Sequence, residues 1–311
     1  MNLLLISDTH IRGDIPVGRT VDFLDQQFEK WVFILEYFSK MPAPKYIVQA
    51  GDLWHRPNPS FTLMNKYLAL FRDYGVKILG VLGQHDLLMR DSDVRRTVIG
   101  TMEMLDLYHR LSPDTPFLLK NFQTNKDYDV ALWGVSYGEA EIPVPVDGIM
   151  NILVIHDMIG NRPLYPGHKL TLAHRFLCKH EGFDLILCGD YHYPFLVENK
   201  GRSIINTGCL LRMTRDERDM KRSPCFYVFD TESRNLMEVE IPSVPYDVAF
   251  DLTEKAKSYP DLRDIEAFVE RIKLKDSFGI DYLDVLDSYC SEKDVPDEVR
   301  ELIFSRLQEG E

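Results

Sequence analysis

Aspartates and histidines recur in this chain directly after apolar runs of strand length. Residues 2–7 lead into Asp8-Thr9-His10, residues 46–50 into Gly51-Asp52-Leu53-Trp54-His55, and residues 77–82 into Gly83-Gln84-His85-Asp86. Residues 150–155 deliver His156-Asp157, and residues 183–188 deliver Gly189-Asp190-Tyr191-His192. In Asp8-Thr9-His10 the carboxylate and the imidazole stand two residues apart on one side of an extended chain, so both can bind one cation. Carboxylates and imidazoles together suit metal-assisted hydrolysis, with the cation activating water and imidazoles moving protons. Aspartate and histidine also gather at strand ends because they form turns and cap helices. Number favours the metal centre. Of nine histidines, His10, His55, His85, His156 and His192 fall at such ends, whereas His109, His168, His174 and His180 lie elsewhere.

The elements that must carry these residues are legible in the hydrophobic pattern. The apolar runs, with a further one at 130–135, are continuous rather than alternating, as in strands buried on both faces. Between the first two runs, Leu24, Phe28, Trp31, Leu35 and Phe38 step along one helical face until Pro42 and Pro44. A second helix starts after Pro59-Ser60, where Ser60 can cap, turns Leu63, Tyr67, Leu70 and Phe71 inward, and stops at Gly75. Strand, helix, strand, helix, strand with right-handed crossovers builds a mostly parallel sheet whose sites open at the carboxyl ends of its strands. Short β-branched and aromatic runs at 203–206, 225–230 and 236–241 suggest a second, partly antiparallel sheet packed on the first. The expected fold class is α/β: two packed mixed β-sheets flanked by helices, with a small, mostly helical C-terminal appendage. The segment 111–129 has little periodicity and reads as irregular. From about Asp251 the sequence turns charged and helix-prone, with Ile265, Phe268, Val269 and Ile272 on one face and Val299, Leu302, Ile303 and Leu307 on another. A boundary near Pro245 then separates a domain at 1–245 from a segment at 246–311.

Composition limits the class. With 311 residues, 45% apolar and 27% charged, the chain is of ordinary globular make-up. No run approaches the roughly 18 to 20 apolar residues that span a bilayer, so no membrane partner is expected. Five cysteines without a C-x-x-C pair read as reduced thiols, and no basic leader precedes the first strand, so a cytoplasmic setting is expected. The net charge of −13 is unlike that of a non-specific nucleic-acid binder. Basic residues are nevertheless concentrated at Arg212, Arg215, Arg218, Lys221 and Arg222, with Asp216, Glu217 and Asp219 among them. That stretch reads equally as a phosphate-facing loop and as a solvated one.

The order Asp-x-His, Gly-Asp, Gly-Gln-His-Asp, His, Gly-Asp-x-His resembles that of the calcineurin-like metallophosphoesterases over roughly residues 1–245. Gly51-Asp52-Leu53-Trp54-His55 followed by Pro59-Ser60 resembles the SbcD-type DNA repair nucleases, as does Asn206-Thr207-Gly208-Cys209 with Arg212, more loosely. The resemblance implies two metals about 3.5 to 4 Å apart: one held by Asp8, His10 and His192, the other by Gln84, His156 and Asp190, with Asp52 bridging. It further implies that His85 stands beside the scissile phosphate, and that His55 and Arg212 contact substrate. Gln84 stands where the family has asparagine, and Asp190 where it has the first histidine of Gly-His-x-His. Both departures fall on the second metal and make it richer in oxygen, which favours Mn²⁺, with Mg²⁺ as the alternative, over zinc. The implied activity is a Mn²⁺-dependent DNA exonuclease and single-strand endonuclease of repair or recombination. Its implied partners are DNA, an SbcC-type coiled-coil ATPase and a second copy of the chain. The chain has no G-x-x-x-x-G-K-[ST] loop, so ATP dependence must come from a partner, for which the tail faces around Phe268 and Ile303 are candidates. A phosphomonoesterase or phosphoprotein phosphatase, and a non-enzymatic scaffold with a degraded second metal site, are the competing readings.

Overall fold

Phe23–Lys40 forms the expected first helix because its apolar residues repeat at helical spacing, and it stops where Met41 turns extended before Pro42. Ser60 caps the second helix by accepting a hydrogen bond from the Leu63 N–H at 3.3 Å. The computed structural model describes residues 1–20, 22–89, 92–120, 128–164, 168–215 and 217–251. Its elements are β1 (Asn2–Ile6), α1 (Phe23–Lys40), β2 (Lys45–Ala50), α2 (Phe61–Asp73), β3 (Ile78–Val81), α3 (Val98–Met104) and β4 (Tyr108–Arg110). There follow β5 (Phe117–Leu119), β6 (Val130–Val135), β7 (Met150–His156), β8 (Ile159–Gly160), β9 (Thr171–Leu172), α4 (Ala173–Lys179) and β10 (Leu185–Gly189). The last are β11 (Phe195–Asn199), β12 (Arg202–Asn206), α5 (Glu217–Lys221), β13 (Cys225–Asp230), β14 (Asn235–Glu240) and α6 (Tyr246–Ala249).

Two six-stranded mixed sheets result, ordered β14-β13-β1-β2-β3-β4 and β11-β12-β10-β7-β6-β5. Alternate residues of each buried strand serve different layers, which explains why the runs are apolar throughout. Leu3 and Leu5 point into the sandwich with Val48, Val81, Leu132, Val154 and Leu187. Leu4 and Ile6 pack instead on the helical layer with Trp31, Leu35 and Phe71. On the far side, Leu153, Ile155 and Ile186 pack beneath Phe176 and Leu177 of α4. Each fully buried side chain of this size contributes roughly 1.5–3 kcal/mol.

The strand-end residues belong to two sheets rather than to one edge of one sheet. β1, β2 and β3 run parallel in the first, with Ile6 beside Gln49 and Ala50 beside Val81. β7 and β10 run parallel in the second, with His156 beside Gly189. The strands at 225–230 and 236–241 were expected in the second sheet; β13 instead lies antiparallel to β1 and extends the first. Its pattern suits that place, since Phe226 and Val228 face the helices while Tyr227 and Phe229 fill the sandwich. Within the segment read as irregular, Phe117–Leu119 pairs antiparallel with β6.

The chain divides into compact units Met1–Asp251 and Leu252–Glu311. Contacts of the first unit run past Pro245: Thr20 N–H donates to Ala249 O at 3.1 Å, Asp251 N–H to Gly18 O at 2.9 Å, and Arg19 lies 4.9 Å from the Phe250 ring centroid. The apolar faces expected around Phe268 and Ile303 lie outside the described residues. Cys178, Cys188, Cys209 and Cys225 are free thiols. Among the described residues no helix is long and apolar enough to cross a membrane.

Candidate metal centre

At the carboxyl ends of these strands the backbone turns sharply, and it does so at the ligand-type residues themselves. Asp8 (φ 46°), His10 (φ 44°), Asp52 (φ 54°) and Asp190 (φ 81°) all adopt left-handed conformations. For non-glycine residues this costs roughly 1–2 kcal/mol each, a strain that accumulates where function requires a fixed geometry. Hydrogen bonds hold it in place: Asp8 N–H to Gly51 O (3.2 Å), His10 N–H to Asp52 O (2.9 Å) and Asp190 N–H to Asp8 Oδ1 (3.0 Å).

Tight turns carry the donor atoms together. Asp8, His10 and His192 offer ligand atoms within 4.8 Å of one another, and so do Asp8, Asp52 and His156, and His10, His55 and His85. Asp52 Oδ2 lies 3.6 Å from both His10 Nε2 and His156 Nε2, between the first and second groups. Asp52 Oδ1 accepts from the His85 N–H at 2.9 Å. His10 Nε2 and His192 Nε2 approach to 3.2 Å.

Several of these atoms have no partner in the protein. Asp8 Oδ2 and Asp52 Oδ2 are buried without a hydrogen bond, which in an otherwise satisfied interior is costly. His156 Nδ1 stands 2.7 Å from the Ala50 carbonyl, which can only accept, so Nδ1 carries a proton and Nε2 is the ring nitrogen turned to the centre. Nε2 lies 2.8 Å from Gln84 Oε1 and 3.6 Å from Asp52 Oδ2. Buried carboxylate oxygens without a hydrogen bond, grouped with imidazole nitrogens, suit a divalent cation, so the residues fit the expected metals.

Gln84 and Asp190, the two departures from the family pattern, contact each other: Gln84 Nε2 donates to Asp190 Oδ1 at 2.8 Å. The longer amide reaches the shorter acid while keeping its own oxygen on His156. Gln84 thus links Asp190 to His156 of the second group.

Packing leaves no slack around these side chains. A Cβ on Gly83 would lie 2.0 Å from Asp52 Oδ1 and 2.5 Å from the Asp52 nitrogen, and one on Gly51, at φ +83°, would lie 2.2 Å from His156 Nδ1. Gly83→Ala is therefore expected to displace Asp52, destabilising the fold by about 1–3 kcal/mol as over-packing does. It should weaken Mn²⁺ binding at least tenfold by calorimetry. Wild-type affinity in a folded variant would show that the Asp52 carboxylate is free to move.

Burial also sets the protonation of the centre. It raises Asp8 to about 7, with His156 opposing and Asp52 adding to the rise. It carries Asp52 well above the ordinary carboxylate range, reinforced by the charge of Asp86. The His10 imidazole is driven well below its ordinary value, first by burial and then by His192, His85 and His55. Without metal, Asp8 thus holds a proton below about pH 7 that a cation must displace. Mn²⁺ affinity is expected to rise about tenfold per pH unit below 7 for each proton released, and to flatten above it. Calorimetry in two buffers of different ionisation enthalpy counts those protons, and an affinity independent of pH would contradict the assignment.

His55 and His85 stack with ring centroids 5.0 Å apart and planes at 20°. His85 Nδ1 donates to the His55 carbonyl at 3.0 Å, which leaves Nε2 as its second ring nitrogen. His85 lines a cavity of about 350 Å³ together with Gln84, Asp190 and His192. His55 lines a separate cavity of about 270 Å³ beside Arg12 and Arg56. Burial, then Arg12 and His85, lowers the His55 imidazole to about 4. It is neutral at ordinary pH.

Arg212 does not join this group. Its Nε donates to Arg222 O at 2.9 Å and its Nη1 to Val244 O at 3.2 Å, on another cavity with Arg19 and Lys30. Arg222, in the same basic stretch, is buried against Asp219 at 2.9 Å. Two supporting residues had no role in the sequence reading. Asp86 accepts from Gly83 N–H at 3.0 Å and Trp54 N–H at 3.0 Å, binding the β2 and β3 loops together. Thr207 Oγ1 accepts from Ser7 N–H at 2.8 Å, while Leu210 N–H donates to Asp8 O at 3.2 Å. An acid three residues after a strand-end glycine is the local signal for Asp86; Thr207 has none, because its partner is 200 residues away.

Comparison with solved structures finds an archaeal phosphodiesterase at 12% identity, covering 77% of this chain and 99% of that one, TM-score 0.40. A Staphylococcus aureus protein provisionally assigned as a 5′-nucleotidase, in complex with alpha-ketoglutarate, matches at 15% identity over 83% of this chain and 56% of that one, TM-score 0.42. A single mutant of Vps29 from Entamoeba histolytica matches at 11% identity over 78% of this chain and 100% of that one, TM-score 0.35. No curated protein matches the chain. Residues 1–194 of the 311 match the calcineurin-like phosphoesterases as a family, and the chain belongs to that family.

Proposed function

We propose that the chain is a two-metal phosphodiesterase acting on DNA, an SbcD-type nuclease. One observation carries the reading: two buried, unpartnered carboxylate oxygens, Asp8 Oδ2 and Asp52 Oδ2, amid imidazoles delivered from both sheets. Asp8, His10 and His192 would hold one divalent cation, Gln84, His156 and Asp190 the other, and Asp52 both. Bound there, the cations supply Lewis acidity toward a phosphate oxygen and an activated water. His85 holds or delivers a proton at Nε2, with its ring fixed by the His55 carbonyl. The choice of DNA rests on the resemblance of the Gly51 to Ser60 segment, and the choice of Mn²⁺ on the oxygen donors Gln84 and Asp190.

End-labelled duplex DNA incubated with Mn²⁺, Mg²⁺ or EDTA tests the reading directly. Mn²⁺-dependent degradation is expected, with little turnover of p-nitrophenyl phosphate. Cleavage of the monoester alone would identify a phosphatase. No turnover with either would leave a scaffold. In the nuclease reading an SbcC-type ATPase is the partner and residues 252–311 its contact. A chain ending at Asp251 should then keep Mn²⁺-dependent cleavage of short DNA but lose pull-down of that ATPase, and undiminished pull-down would refute the contact.

A further inference from the structure

The cavity lined by His85, Gln84 and His192 shares part of its wall with a second. Leu164, Tyr191 and Tyr193 line it, and the same three residues line a second cavity of about 480 Å³. Both volumes lie in the range that takes a nucleotide-sized group. The second cavity differs in charge. Arg162, Arg218 and Lys221 stand exposed on its walls, in a chain whose net charge is −13. Among the described residues its one acidic lining residue, Glu238, accepts a hydrogen bond from the Tyr227 hydroxyl.

The shared wall is built. The single Tyr191 O–H is shared between Asn161 Oδ1 at 3.2 Å and Arg162 O at 3.1 Å, tying the loop that carries Arg162 to the strand end that carries His192. Tyr193 meets Tyr191 edge-on at 5.9 Å. Arg218 lies 5.5 Å from the Tyr193 ring centroid, and its Nη2 donates to Leu164 O at 2.9 Å. An aromatic ring beside a guanidinium group, on a wall that carries further cations, can recognise the base and phosphate of a single-stranded nucleotide.

We propose that this basic cavity is the subsite for the phosphate one nucleotide removed from the scissile one, with Arg162, Arg218 and Lys221 as its cations and Tyr193 as the stacking surface between. The inference rests on the phosphodiesterase reading and narrows its substrate to oligonucleotides with a free strand at the site, in preference to isolated diesters.

The probe is thymidine 3′,5′-bisphosphate, bound to the full chain in EDTA so that metal contributes nothing. Wild type is expected to bind it with an affinity that falls as salt rises, and R162E/K221E to bind it at least tenfold more weakly. R162A/K221A, which removes charge without reversing it, should lie between. Both positions are exposed, and circular dichroism checks the fold of each variant. No binding by wild type, binding indifferent to salt, or equal affinity in the folded variants overturns the subsite. Turnover of bis(p-nitrophenyl) phosphate in Mn²⁺ separates the two claims. Its absence alongside charge-dependent bisphosphate binding would sink the phosphodiesterase reading alone, and its presence alongside unchanged binding would sink the subsite alone.

Discussion

Asp52→Asn is expected to lower the rate of diester hydrolysis by about 10³-fold or more, equivalent to about 4 kcal/mol of transition-state stabilisation. The carboxylate occupies both of its oxygens. Oδ2 faces His10 Nε2 and His156 Nε2 at 3.6 Å each, and Oδ1 accepts the backbone N–H of His85 at 2.9 Å. An amide has one acceptor and one donor in the same shape. Either its NH₂ points at the cations, where it repels them, or it points at the His85 N–H and frees the loop that carries His85. Both outcomes damage the centre while the surrounding apolar packing stays intact, so the variant should fold. Steady-state hydrolysis of labelled DNA in Mn²⁺ measures the effect, and near-normal turnover would end the two-metal assignment.

His85→Asn should act differently: kcat falls about 10²- to 10⁴-fold, the span general acid–base catalysis contributes, while Mn²⁺ stoichiometry and affinity stay close to wild type. Asparagine keeps the backbone N–H that anchors Asp52 Oδ1 and removes the imidazole whose Nδ1 is fixed on the His55 carbonyl. The leaving group supplies the sharper readout. If His85 delivers a proton to the departing oxygen, p-nitrophenolate, which needs none, should lose far less rate than a nucleoside leaving group. An equal loss on both would reassign His85 to charge stabilisation.

Much of the centre is legible in the chain because its parts are local. Continuous apolar runs mark strands buried on both faces, and β1, β2, β6 and β7 lie where those runs are. Helical spacing and Ser60 locate α1 and α2. Glycine followed by aspartate marks turns that bring Asp52 and Asp190 over the strand ends. Short elements escape such a reading. β4, β5 and β11 have at most five residues, too few for a period to show, and they exist because a neighbouring strand pairs with them.

Other features depend on residues far apart in sequence. Arg212 reads as a free cation until two backbone carbonyls engage it. Gln84 and Asp190 read as two separate departures until a 2.8 Å hydrogen bond joins them across 106 residues. Nor can spacing tell that β13 joins the sheet of β1, or that the ligand residues are divided between two sheets.

Donor chemistry and position at a strand end are properties of a few consecutive residues, so the chain by itself nominates Asp8, His10, Asp52, His85, His156 and His192, and the fold brings them close together. Their distances, their burial and the raised proton affinity of Asp8 and Asp52 come from the packing of one sheet on the other. That packing is the sum of many contacts between distant segments, each too weak to leave a mark in any short stretch of sequence.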